Sequence, residues 1–78
     1  MRKYNNKSNI SGKIIEQSRL EKNMSREELA EKLQLMGINI DRNHIYRIEK
    51  EIVIVKDFEL IAICRILNID YKKLEINL

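Results

Sequence analysis

The apolar positions of this 78-residue chain form short helical stripes, each with its own start and stop signals. A first helix is predicted from about Ser11 to Lys22, with Ile14, Ile15 and Ser18 inward and Glu16, Glu21 and Lys22 outward. Asn23 ends it, because Asn tolerates the left-handed backbone found after a helix. Ser25 opens a second helix. With Glu28 three residues on it makes a capping box, and Met24 can staple onto Leu29. Leu29, Ala30, Leu33 and Met36 keep the helical period until Gly37 closes it. Ile38-Asn39-Ile40 leads to Asp41, a good N-cap for a third helix over Arg42–Lys50. Ile45, Ile48 and Glu49 form its inner side, and Arg42, Asn43, Tyr46, Arg47 and Lys50 its outer side. Ile52-Val53-Ile54-Val55 is all β-branched and too short for a helix, so it reads as an extended connector or short strand. Phe58–Leu67 is a fourth helix, apolar on most sides and therefore central, with Asp57 and Glu59 near its positive end. Asn68 stops it, and Asp70 caps a short fifth helix, Tyr71–Leu74. The fold class is all-α.

Composition adds limits. With one Phe and no Trp the core must be aliphatic, drawn from Ile14, Ile15, Ile45, Ile48, Ile61, Ile63, Ile66 and Ile69. The length suits one small domain, and no Pro-rich or Gly-rich linker divides it. Residues 1–9 lack periodicity and are expected to be a flexible basic arm; 10–78 form the domain. A single Cys64 excludes an internal disulfide and suits the cytoplasm. No apolar run approaches the roughly 20 residues that span a bilayer, and the N-terminus lacks a signal peptide's apolar stretch. His44 and Cys64 each stand alone, so no metal site is expected: His44 reads as a partly buried helix residue and Cys64 as core. No Gly-rich phosphate loop appears. Neither a cofactor nor a small-molecule ligand is indicated, and an enzyme has no support.

Charge sharpens the picture. The net charge is +3, but Arg2, Lys3 and Lys7 lie in an arm without acids, and the remaining twelve basic residues meet twelve acidic ones. Between Ser25 and Glu51 five basic residues face six acids. Affinity for a polyanion must therefore come from local arrangement and from the arm. The outer side of the third helix offers such an arrangement. Arg42 or Arg47 can bond guanine O6 and N7 in bidentate fashion, Asn43 can do so with adenine N6 and N7, and Tyr46 can pack on a thymine methyl or reach a phosphate. Lys50 is a phosphate candidate. An exposed row Ile52, Val53, Ile54, Val55, with Tyr71, Leu74, Ile76 and Leu78, is a possible dimer surface; otherwise these segments complete a monomer core.

The run Arg19, Met24-Ser25, Glu28-Leu29-Ala30, then Ile45-Tyr46-Arg47-Ile48-Glu49, then Asp57-Phe58-Glu59-Leu60-Ile61-Ala62 and Leu67-Asn68-Ile69 with Leu74 resembles the helix-turn-helix domain of phage Cro and cI-type repressors, the XRE family. The resemblance implies a five-helix, lambda-repressor-like domain with its helix-turn-helix in helices 2 and 3. It further implies an Arg19–Glu49 ion pair, an Ala30–Ile45 helix contact and a backbone contact at Arg26. The function implied is sequence-specific binding of double-stranded DNA by a bacterial or phage regulator, expected to be a repressor, acting as a homodimer with residues 42–50 in the major groove. Two features depart from the family: the turn between helices 2 and 3 is longer, and Lys50–Val55 replaces a polar loop containing Gly. The near-neutral charge and altered turn leave an alternative, a protein-interaction module such as the antitoxin of a toxin–antitoxin pair.

Overall fold

In the computed structural model, residues 6–74 are described, apart from the side chain of Tyr71. Five helices follow in order: α1 (Gly12–Glu21), α2 (Arg26–Leu35), α3 (Arg42–Glu49), α4 (Asp57–Leu67) and α5 (Tyr71–Leu74). None of these is long and apolar enough to cross a membrane. Local chemistry explains where each begins. At α2 the capping box is closed: Ser25 Oγ accepts the Glu28 N–H at 3.0 Å, and Glu28 Oε1 accepts the Ser25 N–H at 3.3 Å. At α3, Asp41 Oδ1 accepts the His44 N–H at 2.8 Å. At α4 the buried Glu59 reaches back to accept the Lys56 N–H at 3.0 Å. The start of α1 differs from expectation. Ser11 makes no side-chain cap; Asn9 Oδ1 instead accepts the Ser11 and Gly12 N–H groups at 3.1 and 2.9 Å.

The first four helices end in the same way. A residue with positive φ follows each (Asn23, Gly37, Glu51 and Asn68), and its N–H and that of the next residue turn back onto carbonyls of the last turn. Glu51 answers the missing loop glycine. It adopts φ 63° itself, a conformation that costs a non-glycine residue about 1–2 kcal/mol. Its neighbours hold it there. Lys7 Nζ lies 3.2 Å from its carboxylate, the Lys13 N–H points at the same group at 3.5 Å, and the Ser8 N–H donates to its carbonyl at 2.9 Å.

The core is aliphatic. Ile15, Leu29, Leu33, Ile45, Ile48, Ile63 and Leu67 are fully enclosed, joined by Ala30, Ile40, Ala62, Cys64, Ile69 and Leu74. Helix α2 packs on α3 and α4, and α1 packs on the same two. The longer turn is filled by its own isoleucines: Ile40 is buried, Ile38 packs against the core, and Gln34 Nε2 donates to the Ile40 carbonyl at 3.1 Å.

Several expectations need correction. Leu74, a candidate for a dimer surface, is only 8 % exposed, because α5 folds it back onto the core. Ile61 is 42 % exposed and Phe58 is also exposed, so α4 is not enclosed on every side. Met36 is exposed because α2 stops at Leu35 and its inward stripe ends at Leu33. The segment Ile52–Val55 is an irregular connector that turns Val53 and Val55 inward and leaves Ile52 and Ile54 exposed. Lys7, Ser8 and Asn9, expected in the flexible arm, are docked: Asn9 Nδ2 donates to the Ile48 and Val53 carbonyls at 3.1 and 2.9 Å. The rest of the arm up to Asn5, the Tyr71 side chain, Ile76 and Leu78 lie outside the described residues.

Candidate nucleic-acid interface

Helix α3 is pinned by its inner side. Ile45 and Ile48 are fully buried, and Ala30 on α2 lies in the same cluster as Ile45. Glu49, also inward, anchors an ion network. Arg19 Nε donates to Glu49 Oε2 at 2.7 Å, Arg19 Nη2 to Oε1 at 3.3 Å, and Arg19 Nη1 to the Met24 carbonyl at 2.7 Å. One guanidinium thus ties α1, the α1–α2 link and the end of α3 together. Arg26 joins the same carboxylate. Its Nε donates to Glu49 Oε1 at 2.8 Å and its Nη2 to Glu16 Oε2 at 3.1 Å. The hydrogen bond that Arg26 donates to Glu49 holds its guanidinium above its ordinary pKa, so it stays charged.

The C-terminal end of α3 is fixed a second time by Gly12. A Cβ at this position would collide with the Ile48 carbonyl oxygen and stand 2.6 Å from Glu51 Cγ and 2.8 Å from the Glu49 carbonyl oxygen. Only a bare backbone lets the start of α1 approach so closely.

The pinned helix presents its other side outward. Arg42, Asn43, Tyr46, Arg47 and Lys50 are all exposed. Arg42, Asn43 and Tyr46 line an open cleft of about 440 Å³ together with Ser25 and Arg26 from the start of α2. The Tyr46 ring has two cations over it, the Arg26 guanidinium carbon at 5.1 Å and Lys50 Nζ at 5.5 Å from its centroid. Among the described residues neither Arg42 nor Arg47 makes an ion pair, so their donors are available to a ligand. Arg47 shares the outward side but does not line the cleft. Arg26, expected at a backbone contact, has two of its nitrogens committed to carboxylates.

The structure therefore brings together Arg19 with Glu49, and Arg42, Asn43 and Tyr46 with Arg26 and Lys50. It scatters the apolar candidates: Ile52 and Ile54 face outward, while Val53 and Val55 turn in. Asn9, Gly12, Glu16 and Glu51 carry positioning roles that the sequence did not reveal. A hint existed for Gly12, a glycine set inside the first turn of a helix where it weakens the local propensity.

Two helices joined by a turn, the second seated by its apolar side and offering Arg, Asn and Tyr outward, define a DNA-binding helix-turn-helix domain. Residues 15–74 match the family model described as Helix-turn-helix, and the chain belongs to this XRE-type family of DNA-binding regulators. No curated protein and no solved structure matches the chain.

Proposed function

We propose that the protein is a cytoplasmic transcriptional repressor of a bacterium or phage that binds a specific duplex DNA site as a homodimer, with α3 in the major groove. The observation that carries this reading is the outward side of α3, where Arg42 and Arg47 have no ion-pair partner among the described residues and stand beside Asn43 and Tyr46 on a helix whose other side is buried. Arg42 and Arg47 suit guanine and Asn43 suits adenine. Lys50, at the C-cap of α3, suits a phosphate. Ile52 and Ile54 support a contact between two copies, with Phe58 and Ile61 adding exposed apolar surface on α4. A two-fold pair would read half-sites about one helical turn apart.

The test begins by selecting duplexes from a random pool with the purified protein. Affinity is then measured for the selected duplex and for random duplex at several salt concentrations. Arg42→Ala with Arg47→Ala should weaken binding to the selected duplex at least about thirtyfold, since each bidentate base contact is worth about 1–3 kcal/mol. Unchanged affinity in the double variant refutes the assignment of the two arginines. No selection in low salt favours the protein-interaction module instead. Sedimentation of the complex gives the number of copies bound, and a promoter–reporter fusion gives the direction of regulation.

A further inference from the structure

Arg26 occupies the first position of α2, where a free guanidinium would face a phosphate. In this structure it is not free. Its Nε and Nη2 are held by Glu49 and Glu16 on two other helices, and its guanidinium carbon lies 5.1 Å from the centre of the Tyr46 ring. With Arg19 it completes a set of two arginines and two glutamates whose formal charge is zero. A cation already neutralised by two carboxylates has little charge left with which to displace counterions from DNA. What it does hold is a planar group lying over the ring of an exposed aromatic side chain of α3. Lys50, one turn further along, lies over the same ring at 5.5 Å. A tyrosine on an open helix surface would otherwise sample several rotamers, and ordering it on binding would lower affinity.

We propose that Tyr46 determines specificity and that Arg26 is its positioning residue, a tethered cationic plate that fixes the ring for base readout and makes no phosphate contact of its own. The inference rests on the DNA-binding reading above and deepens it. It places one recognition side chain under the control of the ion network that also secures the fold, through Glu49. Charge is supplied elsewhere, by Lys50 and by Arg42 and Arg47.

The test has two arms. In the free protein, NMR of the wild type should show an Arg26 side-chain resonance shifted by the Tyr46 ring and a single Tyr46 χ1 rotamer. Arg26→Gln should release the rotamer. If the ring is already rotationally averaged in the wild type, the clamp is wrong whatever the protein binds. In the second arm, the duplex selected by the wild type from a random pool, and its single-base variants, are titrated at several salt concentrations. Arg26→Gln should lower discrimination about tenfold at one base pair, as a lost specific contact does. That base pair should be the one affected by Tyr46→Ala, and the double variant should be no worse than Tyr46→Ala alone. The slope of log affinity against log salt should stay as in the wild type. A uniform loss across sequences, with the slope reduced by about 0.9, would identify Arg26 as a phosphate contact and overturn the proposal. Should Arg26→Gln fail to fold, Glu16→Gln loosens the same plate from its part-exposed side and must shift preference at the same base pair. If the wild type selects no duplex, the DNA reading falls and the NMR arm alone decides the clamp.

Discussion

Removing the Glu49 carboxylate is the sharpest probe of what holds α3. Its side chain is 0 % exposed and receives three hydrogen bonds from two guanidiniums. The consequences for the two partners differ. The Arg19 side chain is 6 % exposed, so Glu49→Ala leaves a buried cation with one remaining acceptor, the Met24 carbonyl. Leaving such a charge unpaired costs about 3–5 kcal/mol. The Arg26 side chain is 32 % exposed and keeps Glu16, so its share is small, within the roughly 0–1 kcal/mol of a solvent-screened pair. A domain of 78 residues is held by only about 4–12 kcal/mol in all. Glu49→Ala should therefore lower the melting temperature by roughly 12–24 °C, taking about 3 kcal/mol at 4–8 °C per kcal/mol for a chain of this size. The measurement is urea and thermal denaturation followed by far-ultraviolet circular dichroism. The decisive comparison is a double-mutant cycle. Arg19→Met with Glu49→Met removes both buried charges, and should be less destabilised than the sum of the singles by more than about 1 kcal/mol. If the two singles simply add, the pair is not energetically coupled and the reasoning fails.

Two glycines make opposite tests of backbone and packing. Gly12→Ala improves helix propensity by about 1 kcal/mol, yet the new Cβ meets backbone carbonyl oxygens that cannot rotate away. A net loss of at least about 1 kcal/mol is expected in urea titration, and a gain would show that α1 is not tightly docked. Gly37→Ala meets nothing within 4 Å but must adopt φ 83°, so a loss of about 1–2 kcal/mol with unchanged DNA specificity is expected from paired melting and binding curves. Burial pushes the Cys64 thiol above its ordinary value, so the unfolded chain ionises first. Its contribution to stability is complete below the unfolded pKa and is lost as pH rises through the folded value. Wild type should lose more stability than Cys64→Ala between neutral and alkaline pH, and parallel curves would refute the burial argument.

Periodicity and caps made most of the fold legible. The Ser25–Glu28 box, the Asp41 cap and the apolar sets Leu29/Leu33 and Ile45/Ile48 are local, and local chemistry settles them. Candidates that failed did so for tertiary reasons. Leu74 and Ile61 are equally apolar in sequence, but only the path of α5 and the side of α4 left uncovered decide that one is buried and the other is not. The site was legible as a face but not as a mechanism. Arg42, Asn43 and Tyr46 followed from helical spacing. The partnership of Arg26 with Glu16, Glu49 and Tyr46 links positions 10 to 23 residues apart across three helices, and no local pattern announces it. Likewise Glu51 carries nothing to mark it as left-handed until the loop glycine is missed, and then only the fold shows that Lys7, Ser8 and Lys13 support it.

The supports of α3 are distributed unevenly, and this bears on how the helix reads DNA. Its C-terminal half is fixed four times over: by Arg19 and Arg26 on Glu49, by the close approach of Gly12, by Asn9 on the Ile48 carbonyl, and by the docked Glu51. Its N-terminal end rests on the Asp41 cap and on a long turn filled by Ile38 and Ile40. Lys50 and Tyr46 therefore sit on the rigid part of the helix, whereas Arg42 and Asn43 depend on the turn for their position. A chain in which twelve basic residues meet twelve acidic ones over positions 10–78 cannot rely on diffuse attraction to phosphates. It needs a few contacts held in register, and those best held are at the end where the ion network lies. On the proposed reading the four-charge network joins stability to recognition: the same carboxylate that fastens α1 to α3 also holds Arg26, which lies over the Tyr46 ring in the cleft.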